Sequence, residues 1–188
     1  MIKRFGDPEA FNRELRVYRL GLPCCPKMLD YGKENWLIIQ FIDGFPYVDA
    51  RRSIDYCLLG KTIAGFHNAT RAKDQVLCHI DNNPKNILLK TGQYYLIDFE
   101  DSEMAAPETD LSHLVLFWLG IIDPREIEPA FKAFISGYRS LAPLNPELWL
   151  HALEHSRQRF VQRREAHAKP IHASLQKPEI LFHTFALD

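Results

Sequence analysis

The densest concentration of chemistry in the chain lies between Cys78 and Asp101. There His79-Ile80-Asp81-Asn82-Asn83-Pro84-Lys85-Asn86 is followed, twelve residues after Asn86, by Asp98 in Leu96-Ile97-Asp98-Phe99-Glu100-Asp101. Asp81, Asn86 and Asp98 are oxygen-bearing side chains on adjacent loops. Magnesium takes hard oxygen ligands and keeps several of its waters, so one carboxylate and one amide beside nucleotide phosphates make a sensible site. Asn86 and Asp98 fit that need. A second carboxylate that stays off the metal, Asp81, can orient an attacking hydroxyl or accept its proton. The plain alternative is that Asp81 to Pro84 is a polar turn, because Asx residues and proline are ordinary turn formers. The spacing to Asn86 and Asp98 argues against it.

H-x-D-x-x-x-x-N followed by I-D-F resembles the catalytic and metal-binding loops of the protein-kinase-like superfamily. The branch of aminoglycoside and choline phosphotransferases is the nearest pattern, with Asn86-Ile87-Leu88 and Asp98-Phe99-Glu100-Asp101 in corresponding places. Two departures stand out. Glu100 replaces the glycine of the protein-kinase D-F-G, and Asn83 occupies the place where Ser/Thr protein kinases carry a lysine. Lys85, four residues after Asp81, is then the side chain that would reach the transferred phosphate. The resemblance implies an ATP-dependent phosphotransferase acting on a hydroxyl of a small molecule, with ATP and Mg2+ as cofactors. In that reading Asp81 and Lys85 are catalytic and Asn86 and Asp98 hold the metal. His79 is expected to orient the loop, and Asp101 is either a further metal ligand or a solvated acid.

Upstream, Met1-Ile2-Lys3-Arg4-Phe5 resembles the end of the kinase strand whose lysine holds the nucleotide phosphates, with Glu14 on the next helix as the partner of Lys3. Trp36 to Gly44 resembles the strand and hinge that hold adenine by backbone groups, implying Gln40 and Ile42. Leu58 to His67 resembles the helix before the catalytic loop, with a structural role for His67. Pro107-Glu108-Thr109-Asp110-Leu111 resembles the family's segment in which the aspartate braces the catalytic loop, and Asp110 also suits a helix cap. In the family two strands and a Gly-rich phosphate-covering loop precede the lysine strand. None precedes Met1 here, so the expectation is a truncated chain or a natural short form, with its nucleotide more exposed to water. A second reading follows: a nucleotide-binding pseudokinase or partner-binding module with weak or no catalysis. A third keeps the chemistry but makes the acceptor a protein or RNA.

The elements that must position these residues follow from periodicity. Met1 to Phe5 alternates as a strand, and Asp7-Pro8-Glu9 starts a helix carrying Phe11, Leu15, Tyr18 and Leu20, closed by Gly21. Met28 to Tyr31 and Trp36 to Ile42 read as strands, and Ile54 to Phe66 as a helix. Leu77 to Ile80, Ile87 to Lys90 and Tyr94 to Phe99 are short strands broken by Asn82-Asn83-Pro84 and Thr91-Gly92. Helices are expected over Leu111 to Leu119, Pro124 to Tyr138 and Pro146 to His167, with a weaker one from Pro178 onward. The fold class is α+β, a kinase-like two-lobe fold with a truncated strand-rich N-lobe over residues 1–44 and a mainly helical C-lobe over residues 45–188.

With 188 residues, 46% of them hydrophobic and 12% aromatic, the chain can bury a real core. A net charge of −1 gives no overall attraction to nucleic acid or membrane. A basic helix face with Arg157, Arg159, Arg163, Arg164 and Lys169 leaves a local RNA surface open. Cys24, Cys25, Cys57 and Cys78 form no C-x-x-C, so reduced thiols are expected, and His151 and His155 lack the further ligands of a zinc site. No apolar run approaches bilayer length. The expectation is a cytoplasmic protein with a small-molecule partner, its oligomeric state open.

Overall fold

The computed structural model describes residues 1–49 and 54–166. The weak helix expected from Pro178 onward lies outside them, as does Lys169. In chain order the elements are β1 (Ile2–Arg4), α1 (Pro8–Arg19), β2 (Met28–Gly32), β3 (Trp36–Ile39), β4 (Phe45–Pro46) and α2 (Tyr56–Thr70). They continue with β5 (Val76–Cys78), β6 (Ile87–Lys90), β7 (Gln93–Leu96), β8 (Glu103–Ala105), α3 (Pro107–Trp118), α4 (Pro124–Arg139) and α5 (Pro146–Ala166). The class is α+β, as the sequence implies. No helix among the described residues is long and apolar enough to cross a membrane.

The cut near residue 44 follows the composition of the chain; contacts group it into two units in another way. Met1–Ile54 and His79–Met104 form the first, and Asp55–Cys78 and Ala105–Asp188 the second. In the first unit, antiparallel pairing gives a sheet of order β1-β3-β2. Lys3 stands opposite Leu37 and Ile2 opposite Ile38. Opposed residues of an antiparallel pair share a face, so Lys3 lies on the same face as Leu37, which is fully buried.

Asp7 caps α1 by accepting from the N–H groups of Glu9 at 2.9 Å and Ala10 at 3.2 Å, and Pro8 supplies a first-turn residue that needs no donor. The buried stripe of α1 runs Phe11, Glu14, Leu15, Tyr18 at helical spacing, with one acid in it. A buried carboxylate inside an apolar stripe requires a positive or donor partner. β3 is shorter than the run Trp36 to Ile42 suggests. Gln40 gives its N–H to the Lys27 carbonyl at 2.8 Å, and the chain then turns, with Gly44 N–H on the Ile42 carbonyl at 2.9 Å.

The second sheet of this unit has the order β4-β6-β7. Thr91 and Gly92 both have positive φ, 47° and 78°, the signature of a two-residue type I′ hairpin. That turn fixes the register at Lys90 opposite Gln93 and Ile87 opposite Leu96. The residues just beyond the last pair, Asn86 and Ile97, are thereby forced together.

The second unit is a helical core around α2, α3, α4 and α5. α2 and α4 approach so closely that a Cβ at Gly60 would sit 2.1 Å from the Phe134 carbonyl oxygen, and one at Gly137 would sit 2.0 Å from that of Cys57. Only glycine permits that contact. α3 and α5 meet through Ser112 and Ser156, whose hydroxyls are 2.8 Å apart. Glu108 in the first turn of α3 accepts the Asn145 N–H at 2.6 Å. Of the four cysteines, all free thiols, Cys25 and Cys78 are buried and Cys24 and Cys57 half-buried.

Candidate active site

The loop from His79 to Asn86 is held by its own polar groups. Asp81 N–H donates to the His79 carbonyl at 2.8 Å across Ile80, whose φ of 66° is left-handed. This is the i to i+2 bond of a γ-turn, and a β-branched residue at positive φ stores about 1–3 kcal/mol of strain. The turn sets Asp81 out of line with the preceding strand. Asn83 caps the short 3-10 turn Pro84–Asn86 through its Oδ1, which accepts the Lys85 N–H at 3.2 Å. Asn86 then turns its amide back on Asp81, with Nδ2 3.0 Å from the Asp81 carbonyl and 3.1 Å from Asp81 Oδ2.

The hairpin register carries this loop onto the next. Ile97 N–H donates to the Asn86 carbonyl at 3.0 Å, and the Ile97 carbonyl accepts from His79 Nε2 at 2.8 Å. Both backbone groups of Ile97 are therefore spent on the loop. That bond puts the His79 proton on Nε2, so the imidazole orients backbone, as the sequence suggests. Asp98 follows directly, also left-handed at φ 71°. Phe99 anchors the segment from below, fully buried, with ring centroids 4.7 Å from His79 and 5.6 Å from Tyr18.

Lys3 meets Asp98 from the far end of the chain. Its Nζ lies 2.6 Å from Glu14 Oε2, 2.5 Å from Asp98 Oδ1 and 2.9 Å from Glu100 Oε1. Burial works against the charge on Lys3, but the three carboxylates outweigh it and hold its pKa above the ordinary lysine value. Glu14 shows no side-chain exposure, and burial pushes its pKa up to about 6 against the opposing pull of Lys3. Its second oxygen, Oε1, is buried without a hydrogen-bond partner. Arg13, the neighbour of Glu14 on α1, donates its Nε to the Glu100 carbonyl. α1 thus holds both Lys3 and the segment after Asp98.

The structure brings Lys3, Glu14 and Asp98 into direct contact, and links Asp81 to Asn86 and Asn86 to Asp98 through Ile97. Lys85 stands apart, with an exposed side chain. Gln40 and Ile42 lie on the segment after β3. Neither the Gln40 carbonyl nor the Ile42 N–H has a hydrogen-bond partner among the described residues, whereas the Gln40 N–H and Ile42 carbonyl are both used. One acceptor and one donor, two residues apart, are thus unused within the described residues. Sequence reasoning passed over Glu100 and Arg13 as members of the cluster. The replacement of the expected glycine by Glu100 was the available signal; for Arg13 there was none.

The donor set is one of hard oxygens. Asn86 spends its amide nitrogen on Asp81 and keeps Oδ1, and the carboxylates of Glu14, Asp98 and Glu100 offer oxygens within 4.8 Å of one another. Excess negative charge, an orphaned carboxylate oxygen and the absence of sulfur suit a divalent cation such as magnesium. A separate buried group, His67, Cys78 and Asp110, belongs to the other unit. There His67 Nδ1 is 2.8 Å from the Tyr138 hydroxyl and Nε2 is 3.0 Å from Asp110 Oδ2. His151 and His155 join no three-ligand cluster among the described residues.

With the loops, hairpin and lysine cluster in place, the fold is that of the protein-kinase-like phosphotransferases. Residues 59–144 match the model of the phosphotransferase enzyme family. The chain is similar to the spectinomycin phosphotransferase APH(9)-Ia solved with AMP, at 15% identity and a TM-score of 0.65, covering 100% of this chain and 84% of that one. It is similar to the choline kinase LicA from Streptococcus pneumoniae at 15% identity and a TM-score of 0.61, covering 98% and 83%. An aminoglycoside-3'-phosphotransferase of type VIII matches at 17% identity and a TM-score of 0.54, covering 82% and 83%. No curated protein matches the sequence significantly.

Proposed function

We propose that the protein transfers the γ-phosphoryl group of ATP to a hydroxyl of a small molecule. The observation that carries the reading is the convergence of Lys3, from the start of the chain, on Asp98 and Glu14, beside a loop that fixes Asp81 and Asn86. In this reading the acceptor oxygen bonds to the γ-phosphorus, the bond from that phosphorus to the bridging oxygen of ADP breaks, and the hydroxyl proton passes to the Asp81 carboxylate. Asn86 Nδ2 donates to Asp81 Oδ2, which orients the carboxylate. Asn86 Oδ1 and Asp98 would hold magnesium, which when bound offsets the charge on the phosphate oxygens. Lys3 steadies those oxygens, the Gln40 carbonyl and Ile42 N–H take the adenine edge, and Lys85 reaches from the loop toward the transferred group.

Supporting this reading, the similar spectinomycin phosphotransferase has been solved with AMP and with ADP and spectinomycin, and other similar structures are choline and ethanolamine kinases. These proteins share an acceptor class of small hydroxyl compounds, which favours that class over a protein or RNA. The test is phosphate transfer from Mg-ATP across a library of small hydroxyl compounds, with Asp98→Ala as the control. Turnover lost in the variant is expected. Nucleotide binding without turnover on any acceptor would favour the non-catalytic module, and no nucleotide binding at all would end the proposal.

A further inference from the structure

An ammonium group has three N–H donors, and Lys3 meets three carboxylates, Glu14, Asp98 and Glu100. No donor is left over for a phosphate. A nucleotide arriving alone would bring further negative charge to a group where carboxylates already outnumber the cation. One carboxylate must let go before Lys3 can hold a phosphate oxygen. Glu14 cannot, because its side chain is fully buried and has no solvent to turn to. Glu100 can: it makes the longest of the three contacts, at 2.9 Å, and its side chain is 43% exposed, the most of the three acids. Its backbone, by contrast, is pinned to α1 by Arg13. The side chain therefore swings from a fixed point two residues beyond Asp98.

We propose that Glu100 couples nucleotide binding to the divalent cation, by occupying Lys3 until a cation beside Asp98 offers its carboxylate another positive partner. The inference rests on the reading of Lys3 as the phosphate-holding group and Asp98 as a metal ligand. Glycine at this position would leave Lys3 a free donor. With glutamate, bare nucleotide is repelled and the metal complex of the nucleotide is accepted. By linkage, nucleotide must tighten the binding of the cation by the same factor.

The experiment is a fluorescence titration with N-methylanthraniloyl-ADP at constant ionic strength, in EDTA and in magnesium, on the wild-type chain, Glu100→Gln and Glu103→Gln. In the wild type, magnesium is expected to tighten binding at least about tenfold. Glu100→Gln keeps the shape and removes the charge, so affinity in EDTA should rise about three- to tenfold, the range of a partly exposed ion pair with its repulsion added. Affinity in magnesium should move less than about twofold, and the coupling should shrink accordingly. Mn2+ titration followed by electron paramagnetic resonance should show the same reduced coupling from the metal side. Glu103→Gln removes another carboxylate of the same segment and should leave the EDTA affinity where it was. Unchanged or weaker EDTA affinity in Glu100→Gln, or an equal gain in Glu103→Gln, overturns the proposal while leaving the nucleotide site intact. Failure of the wild type to bind nucleotide even with magnesium overturns the underlying reading instead.

Discussion

Each unit holds a titratable network, and the two are balanced in opposite ways. In the second unit His67 sits between the Tyr138 hydroxyl and the Asp110 carboxylate, all buried, with both imidazole nitrogens bonded. In the first, three carboxylates surround one ammonium, Asp98 and Glu100 keep contact with solvent, and an oxygen of Glu14 has no partner. The His67 network bonds both imidazole nitrogens within the chain, whereas the Lys3 cluster carries more negative than positive charge. Stability and binding draw on the same chemistry, and what separates them is whether the charges close within the chain.

The contrast can be broken most directly at Asp98. Asp98→Asn removes one carboxylate from the surplus, so phosphate transfer should fall by roughly 10³-fold or more, while the melting temperature holds or rises. A comparable loss of stability in thermal denaturation would make the cluster a structural one like its counterpart. His67→Ala should do the reverse. It removes a buried partner of both Tyr138 and Asp110, at about 1–3 kcal/mol and a fall in Tm of roughly 5 °C; no fall at all would show that His67 does not hold its unit together.

Glu14 links the two properties by pH. Its folded pKa of about 6 lies above the ordinary value of 4.5. The folded state therefore favours the protonated form, and the stability this group contributes, about 2 kcal/mol at most, is present below pH 4.5 and lost as pH rises through 6. Ionised Glu14 adds a further negative charge beside Lys3, so nucleotide affinity in EDTA should fall over the same interval. Glu14→Gln should flatten both profiles; a variant that kept the acid limb would assign it to another group. The smallest effect is expected at Asp7, where Asp7→Ala removes the cap of α1 at about 1 kcal/mol, read as a fall in Tm of roughly 2–4 °C.

The parts of this site that are legible in the sequence are those fixed by short-range geometry. The spacing of Asp81, Asn86 and Asp98 survives because a hairpin with a two-residue turn has one register, and that register joins Asn86 to Ile97. The pairing of Lys3 with Glu14 is legible through the resemblance of residues 1–5 to the kinase lysine strand, and the structure supplies its physical reason, an acid inside the buried stripe of α1 that needs a cation. Side-chain reach is not readable in this way. Glu100 could have pointed to solvent, and Arg13 looks like any surface residue of a helix whose own acids, Asp7 and Glu9, stand 3.8 and 3.7 Å from it. β4 and β8, two and three residues long, are too short to show a period. The early end of β3 depends on Lys27, a partner thirteen positions away. The left-handed Ile80 contradicts its own β-branched preference, and only the bonds around it hold it there.

Ile97 has a use that no reactive residue of the loop offers. Its amide proton is committed to the Asn86 carbonyl, so exchange with deuterated solvent at this one position requires the loop of Asp81 and Asn86 to part from the strand that leads into Asp98. Followed by heteronuclear NMR, its exchange rate should report the opening of that loop in the absence of any ligand, and under the proposed function it should slow on addition of nucleotide and magnesium.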